Sequence, residues 1–375
     1  MPSLQSIPTT SHHLPAWFVW TVLGVCLAPV LLNVFGIDFG TAKVTSSSSM
    51  THDLASGERI DGMFHTLSGS FTHTILEWTA FCTAIFTLFL AFLHFKMKRH
   101  VTTLIIGVAL FCAGTMDVFH TLAADRLIEA IGENRNLVSF TWAISRVFTA
   151  LILILGLSLF FFSNKRNVKD NLSFVLGMSA LFGVMAFWII KYCATSATLP
   201  DTIYPESLVT RPYDVVPLLL FGFGGVTVFW RFYRQQPGPF SHAILISVIP
   251  QVAVQLHMVF GSTALFDNHF NIAHFLKIFA YLVPFAGLAF DYLNTYEGLG
   301  GEIEERKQLE KRLGIQYGVA SSLAGASSLR EATLKMLKIV CTELGWKIGA
   351  MWRVDDELNE LYCVEAWYDE DEHLA

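Results

Sequence analysis

From Ala16 to Leu293 long apolar runs alternate with short polar interruptions, and the runs lack the two-residue alternation of half-buried strands. A helix needs about 20 mostly apolar residues to cross the hydrocarbon core of a bilayer. Eight runs meet that need: Ala16–Phe35, Thr72–Phe95, Val101–His120, Ser139–Phe162, Leu172–Ile190, Val215–Tyr233, His242–Ser262 and Asn271–Leu293. The first has no basic stretch before it and is longer than a signal-peptide core, so it reads as a retained helix. The pattern predicts an all-α polytopic membrane bundle.

Composition agrees. The 375 residues are 53% hydrophobic and only 15% charged, against about a quarter charged in soluble domains. The net charge of -6 reflects an acidic C-terminal stretch, and no basic field suggests nucleic acid. The six cysteines form no C-x-x-C pair, which points to buried thiols rather than a disulfide framework or thiolate metal site.

Orientation follows from Lys and Arg in short connections. Lys96, Lys98 and Arg99 follow span two, Lys165, Arg166 and Lys169 follow span four, and Arg231 and Arg234 close span six. The alternate connections are sparser: Lys43 and Arg59, then Arg126 and Arg135, then Lys191 and Arg211. Both termini are expected in the cytoplasm of a multi-pass inner (plasma) membrane protein, with a flexible external loop at Ser46–Ser49.

Ionisable groups within a bilayer are costly and mark function when they occur. With this orientation they gather in the outer half. His73 and Glu77 open span two, Asp117 and His120 close span three, and Trp142 and Arg146 open span four. Gln251, Gln255 and His257 lie late in span seven, and His274 and Lys277 open span eight. His65, Asp267 and His269 fall at the same level. A ligand pocket lined by His73, Glu77, Asp117, His120, Trp142, Arg146, His257, His274 and Lys277 is expected, its two carboxylates and two cations neutralising one another. The competing reading is interhelical adhesion, worth on average about 0.6 kcal/mol per polar contact in membranes. No cofactor is specified. Imidazole suits zinc, copper and haem iron, so His73, His120, His257 and His274 leave haem or metal ligation open. His94 and His100 read as interfacial. Gly177, Gly183, Gly222, Gly224 and Gly225 read as points of close helix contact.

These positions resemble a known family. Asp117-Val-Phe-His120-Thr121-Leu122 is similar to the D-x-x-H-T-L signature of the third class of membrane-associated sensor (MASE) domain. The W-x-x-x-R of that family's next helix matches Trp142 and Arg146, its earlier His and Glu match His73 and Glu77, and its late H-x-x-K matches His274 and Lys277. Ala123-Ala124-Asp125-Arg126-Leu127 stands where the family carries Y-x-G-M. The resemblance covers residues 60–295. It implies a sensory input domain of bacterial histidine kinases or diguanylate cyclases.

Beyond the spans the chain becomes charged. Residues 1–15 read as a cytoplasmic tail, 16–293 as the membrane domain and 294–328 as a signalling helix. Leu309, Leu313, Gln316, Ala320 and Leu323 form a coiled-coil seam that predicts a parallel homodimer; a packed monomeric helix is the alternative. An amphipathic helix over Leu329–Leu344, ended by Gly345, precedes two strands around an acidic turn. The run Leu344-Gly345-Trp346-x-x-Gly349-Ala350-x-Trp352-Arg353-Val354-Asp355 resembles the start of a GAF domain, so residues 329–375 are expected to be an incomplete α/β GAF domain. No Walker A loop, GGDEF-like run, G-x-S-x-G or ATP lid occurs. The expected function is therefore input to a downstream kinase or cyclase. A membrane transporter or redox carrier, and a structural anchor, are the rivals.

Overall fold

A computed structural model of the chain describes residues 13–41, 56–99, 101–129, 131–162, 172–355 and 357–369, without the side chains of 56–66, 134, 135 and 162. The Ser46–Ser49 loop, Lys165–Lys169, His100, most of the N-terminal tail and the His65 side chain lie outside them. The chain divides into two units, Met1–Thr295 and Tyr296–Ala375.

The first unit is a bundle of helices α1 (Ala16–Val34), α2 (Ser56–Lys98), α3 (Val101–Ala124), α4 (Asn134–Phe162), α5 (Leu172–Thr195), α6 (Val215–Gly224), α7 (Trp230–Gln235), α8 (Pro239–Ile246), α9 (Val248–Phe260) and the first part of α10 (Asn268–Ala324). Eight stretches are long and apolar enough to cross a membrane, matching the eight runs of the sequence. Two spans are interrupted. A π-helical turn, Gly225–Phe229, joins α6 to α7. The seventh span breaks at Ser247, where Pro250 cannot donate a backbone hydrogen bond to the preceding turn.

Helix α3 is the centre, buried around almost its whole circumference and packed between α2, α4 and α5. In lipid the hydrophobic effect cannot press helices together, so close van der Waals contact must. Gly107 of α3 meets Ala91 of α2 so closely that a β-carbon there would lie 2.6 Å from the Ala91 methyl group. Ala84 and Gly114 meet one heptad further along. Of the glycines expected at contacts, Gly224 and Gly225 pack against Ile154 and Val248, whereas Gly177, Gly183 and Gly222 face open space. Those three lie on exposed or half-exposed sides of their helices, which helix periodicity in a uniformly apolar run cannot identify.

At the end of the bundle where α2 finishes, His94 is buried and its ring lies 3.5 Å from Asp291 of α10, which also pairs with Lys98 at 3.1 Å. His94 thus packs against the polar residues at that end of the bundle.

In the second unit, α10 continues through Gly298, Gly300 and Gly301 to Ala324. Helix α11 (Leu329–Leu344) starts at Ser328, whose hydroxyl accepts from the Glu331 N–H at 3.3 Å, and the Glu331 carboxylate reaches back to the Ser327 N–H at 3.0 Å. Gly345 closes it at φ +70°, the left-handed position that glycine takes without strain. Strands β1 (Ile348–Asp355) and β2 (Glu360–Tyr368) pair antiparallel, with an irregularity between Met351 and Trp352. The expected strands are present. A helix and a two-stranded ribbon are common to many folds and do not define a GAF domain.

Candidate functional site: a buried ionic and imidazole cluster

Helical spacing brings the predicted residues together. His73 and Glu77 share one face of α2, Asp117 and His120 one face of α3, Trp142 and Arg146 one face of α4, and His274 and Lys277 one face of α10. Neighbouring spans run in alternating directions, so the early residues of α2, α4 and α10 meet the late residues of α3. All eight side chains are no more than 1% exposed.

Lys277 is the hub. Its ammonium lies 2.5 Å from Glu77 Oε2 and 3.2 Å from Asp117 Oδ1, so one cation ties α2 and α3 to α10. The Tyr281 hydroxyl donates to Asp117 Oδ2 at 2.7 Å, and the Ser145 hydroxyl, which also faces the Trp142 carbonyl at 2.9 Å, lies 3.3 Å from Asp117 Oδ1. The same ammonium sits 4.8 Å from the centre of the Trp142 ring, a cation–π contact that a dry interior strengthens. A buried charge without such partners would cost several kcal/mol.

Above this hub stand three imidazoles. His73 Nε2 and His120 Nε2 are 3.2 Å apart. His274 stacks on Phe270 at 4.0 Å and lies 4.2 Å from Trp142, and its Nε2 is 3.3 Å from Glu77 Oε1. Arg146 makes no direct ion pair among the described residues, but its charge still acts on Glu77 from a distance. Among the described residues its guanidinium donates to the Gln251 side chain and lies over the rings of Phe221 at 5.3 Å and Trp142 at 5.9 Å.

His257 lies elsewhere. Its ring pairs with His269 at 2.9 Å, and both border a cavity of about 730 Å³ between α1 and α9, otherwise lined by apolar side chains such as Leu23, Cys26 and Phe260. The helical face of His257 was predictable; which neighbour that face meets was not. Asp267 has a structural task, accepting from the N–H groups of Thr263, Ala264 and Phe270 at 2.6, 2.9 and 2.8 Å to cap α10.

Two features escaped the sequence. Tyr281 sits four residues beyond Lys277 on the same face, a spacing that signals it once Lys277 is singled out. Arg211, read only as loop charge, forms a buried pair with Asp214 at 3.4 Å, with Arg211 Nη1 also 3.4 Å from Ser262. Their i, i+3 spacing before an apolar run was the available sign.

Fold and site together define a polytopic helical membrane protein whose spans are clasped around a dry ionic core. The chain belongs to the MASE3 family, membrane-associated sensor domain, whose profile matches residues 67–292. No curated protein and no solved structure matches it. The matched stretch holds every residue of the cluster.

Proposed function

We propose that the chain is the input half of a sensor histidine kinase in the inner (plasma) membrane, with both termini cytoplasmic and a homodimeric signalling helix; diguanylate cyclase output is the alternative. The carrying observation is the make-up of α10. Its first turns supply His274, Lys277 and Tyr281 to the cluster. The same helix later carries Leu309, Leu313, Gln316, Ala320 and Leu323, all exposed. In the second unit another face is used at home: a β-carbon on Gly318 would lie 2.9 Å from Ile339 of α11. The seam is thus an apolar stripe left over after α11 is covered, as a parallel two-helix pairing requires. A stimulus that changes the contacts of Lys277 acts on the helix that carries the seam. The basic connections after spans two, four and six support the orientation, and the α11–β1–β2 order supports a GAF-like module before the output domain.

The test is bismaleimide cross-linking in membranes of Leu313→Cys against Lys311→Cys, both in a background lacking Cys82 and Cys363. Cross-linking through position 313 well above that through 311, changed by Asp117→Asn, supports the reading. Equal yields at the two positions overturn the dimer seam, and an Asp117→Asn variant that leaves the yields unaltered overturns the coupling.

A further inference from the structure

The arrangement of protons in the imidazole group is constrained by its neighbours. Thr141 Oγ1 lies 2.6 Å from the Leu137 carbonyl, which can only accept, so the single hydroxyl proton is committed there. The Thr141 oxygen therefore accepts from His120 Nδ1 at 2.8 Å, which leaves Nε2 of a neutral His120 as a bare lone pair. Likewise His274 Nδ1 faces the Phe270 carbonyl at 2.7 Å and must donate to it, leaving its Nε2 bare as well. That nitrogen confronts Glu77 Oε1 at 3.3 Å, acceptor against acceptor, without a hydrogen bond among the described residues. A proton on His73 Nε2 satisfies His120 alone. The second contact calls for one further proton, or a cation, between His274 Nε2 and Glu77 Oε1.

We infer that His73, His120, His274 and Glu77 form a transition-metal site, of the copper or zinc class, in which three imidazole Nε2 atoms and one carboxylate oxygen coordinate a single ion. One ligand atom from each of the four residues lies within 4.8 Å of the others. Zinc–nitrogen bonds of 2.0–2.1 Å in a tetrahedron place ligand atoms about 3.3 Å apart. The separations of 3.2 Å for His73–His120, 3.3 Å for His274–Glu77 and 3.9 Å for His73–Glu77 approach that figure. The Nδ1 contacts of His120 and His274 are the outer hydrogen bonds that orient ligand imidazoles and raise their basicity. If Glu77 turns to the ion, Asp117 still holds Lys277 at 3.2 Å and Tyr281 holds Asp117. Glu77 then offsets one positive charge of the ion. The donor set, three imidazoles and a carboxylate without thiolate, suits copper and zinc.

Binding rests on this geometry alone; that the ion is the stimulus rests on the sensor reading above. The full chain, purified in detergent, is loaded with Zn(II) or with reduced copper, gel-filtered and analysed for metal per chain. One ion per chain is expected, with affinity reduced at least tenfold in His120→Ala and His274→Ala and unchanged in His257→Ala. For the wild type, X-ray absorption should count three imidazoles, a measurement that needs no variant to fold. Failure to retain either ion, two or fewer imidazoles, or binding lost only with His257 overturns the site. With the site established, zinc should change the Leu313→Cys cross-linking yield. An unchanged yield removes the ion as stimulus and leaves the site, whereas absent binding alongside Asp117-dependent cross-linking removes the site and leaves the sensor.

Discussion

Up to Thr295, Glu77, Asp117 and Lys277 are sealed from solvent and share two contacts of 2.5 and 3.2 Å. From Tyr296 onward the pairs Arg306–Glu310 and Lys335–Glu331 stand in water, at 3.8 and 2.7 Å on the turns of single helices. The residue types are the same and the distances similar, but the surroundings set different consequences. An exposed pair exchanges water contacts for one another and nets about 0–1 kcal/mol. A buried pair cannot be broken without stranding a charge in a low-dielectric interior. The membrane unit has few charges, and those of the buried cluster are structurally decisive. The second unit has many, and most are interchangeable.

Lys277→Met tests the buried side most severely. It strands two carboxylates and should destabilise the bundle by about 3–5 kcal/mol, read as a fall in the detergent melting midpoint. Combining it with Glu77→Gln should recover part of that loss, because Asp117 keeps Tyr281 as a donor. A double variant as unstable as the sum of its parts would show that Glu77 and Lys277 are not coupled.

Gly107→Ala asks whether charge is needed for a large effect in this unit. The added methyl group would meet Ala91 at 2.6 Å, and forcing α2 from α3 should cost about 1–3 kcal/mol. A neutral result in the same melting assay would mean that the helices separate freely and that close packing is not what joins them.

Much of the membrane unit was legible because lipid makes the rules severe. Apolar runs of span length gave the eight crossings, and His73–Glu77, Asp117–His120 and His274–Lys277 stood out as polar residues at helical spacing in runs that should have none. Partner choice across helices was not legible. His257 carries the same chemistry at the same depth, yet its face meets His269 and an apolar cavity. Arg146, expected to offset a carboxylate, acts on Glu77 from a distance and hydrogen-bonds Gln251 instead of a carboxylate. In the second unit α10 passes through Gly298, Gly300 and Gly301. A one-residue propensity of about 1 kcal/mol is easily outweighed within a long helix.

On the exposed side the effects shrink. Ser328→Ala removes the hydroxyl that receives the Glu331 N–H and should lower the stability of α11 by about 1 kcal/mol, visible as faster amide exchange in its first turn. The smallest effect concerns Glu331 itself. Lys335 and Ser327 hold its carboxyl down, from 4.5 to about 2. Because the folded value is depressed, its contribution is fully present above pH 4.5 and fades as pH falls through 2, so stability should decline with acid across that window. Lys335→Met removes the strongest of these contacts and should return the Glu331 midpoint toward 4.5 in a carboxyl-labelled NMR titration, with barely any change in melting. A large loss of stability from Lys335→Met would break the contrast, because an exposed pair would then be acting with the force of the buried one.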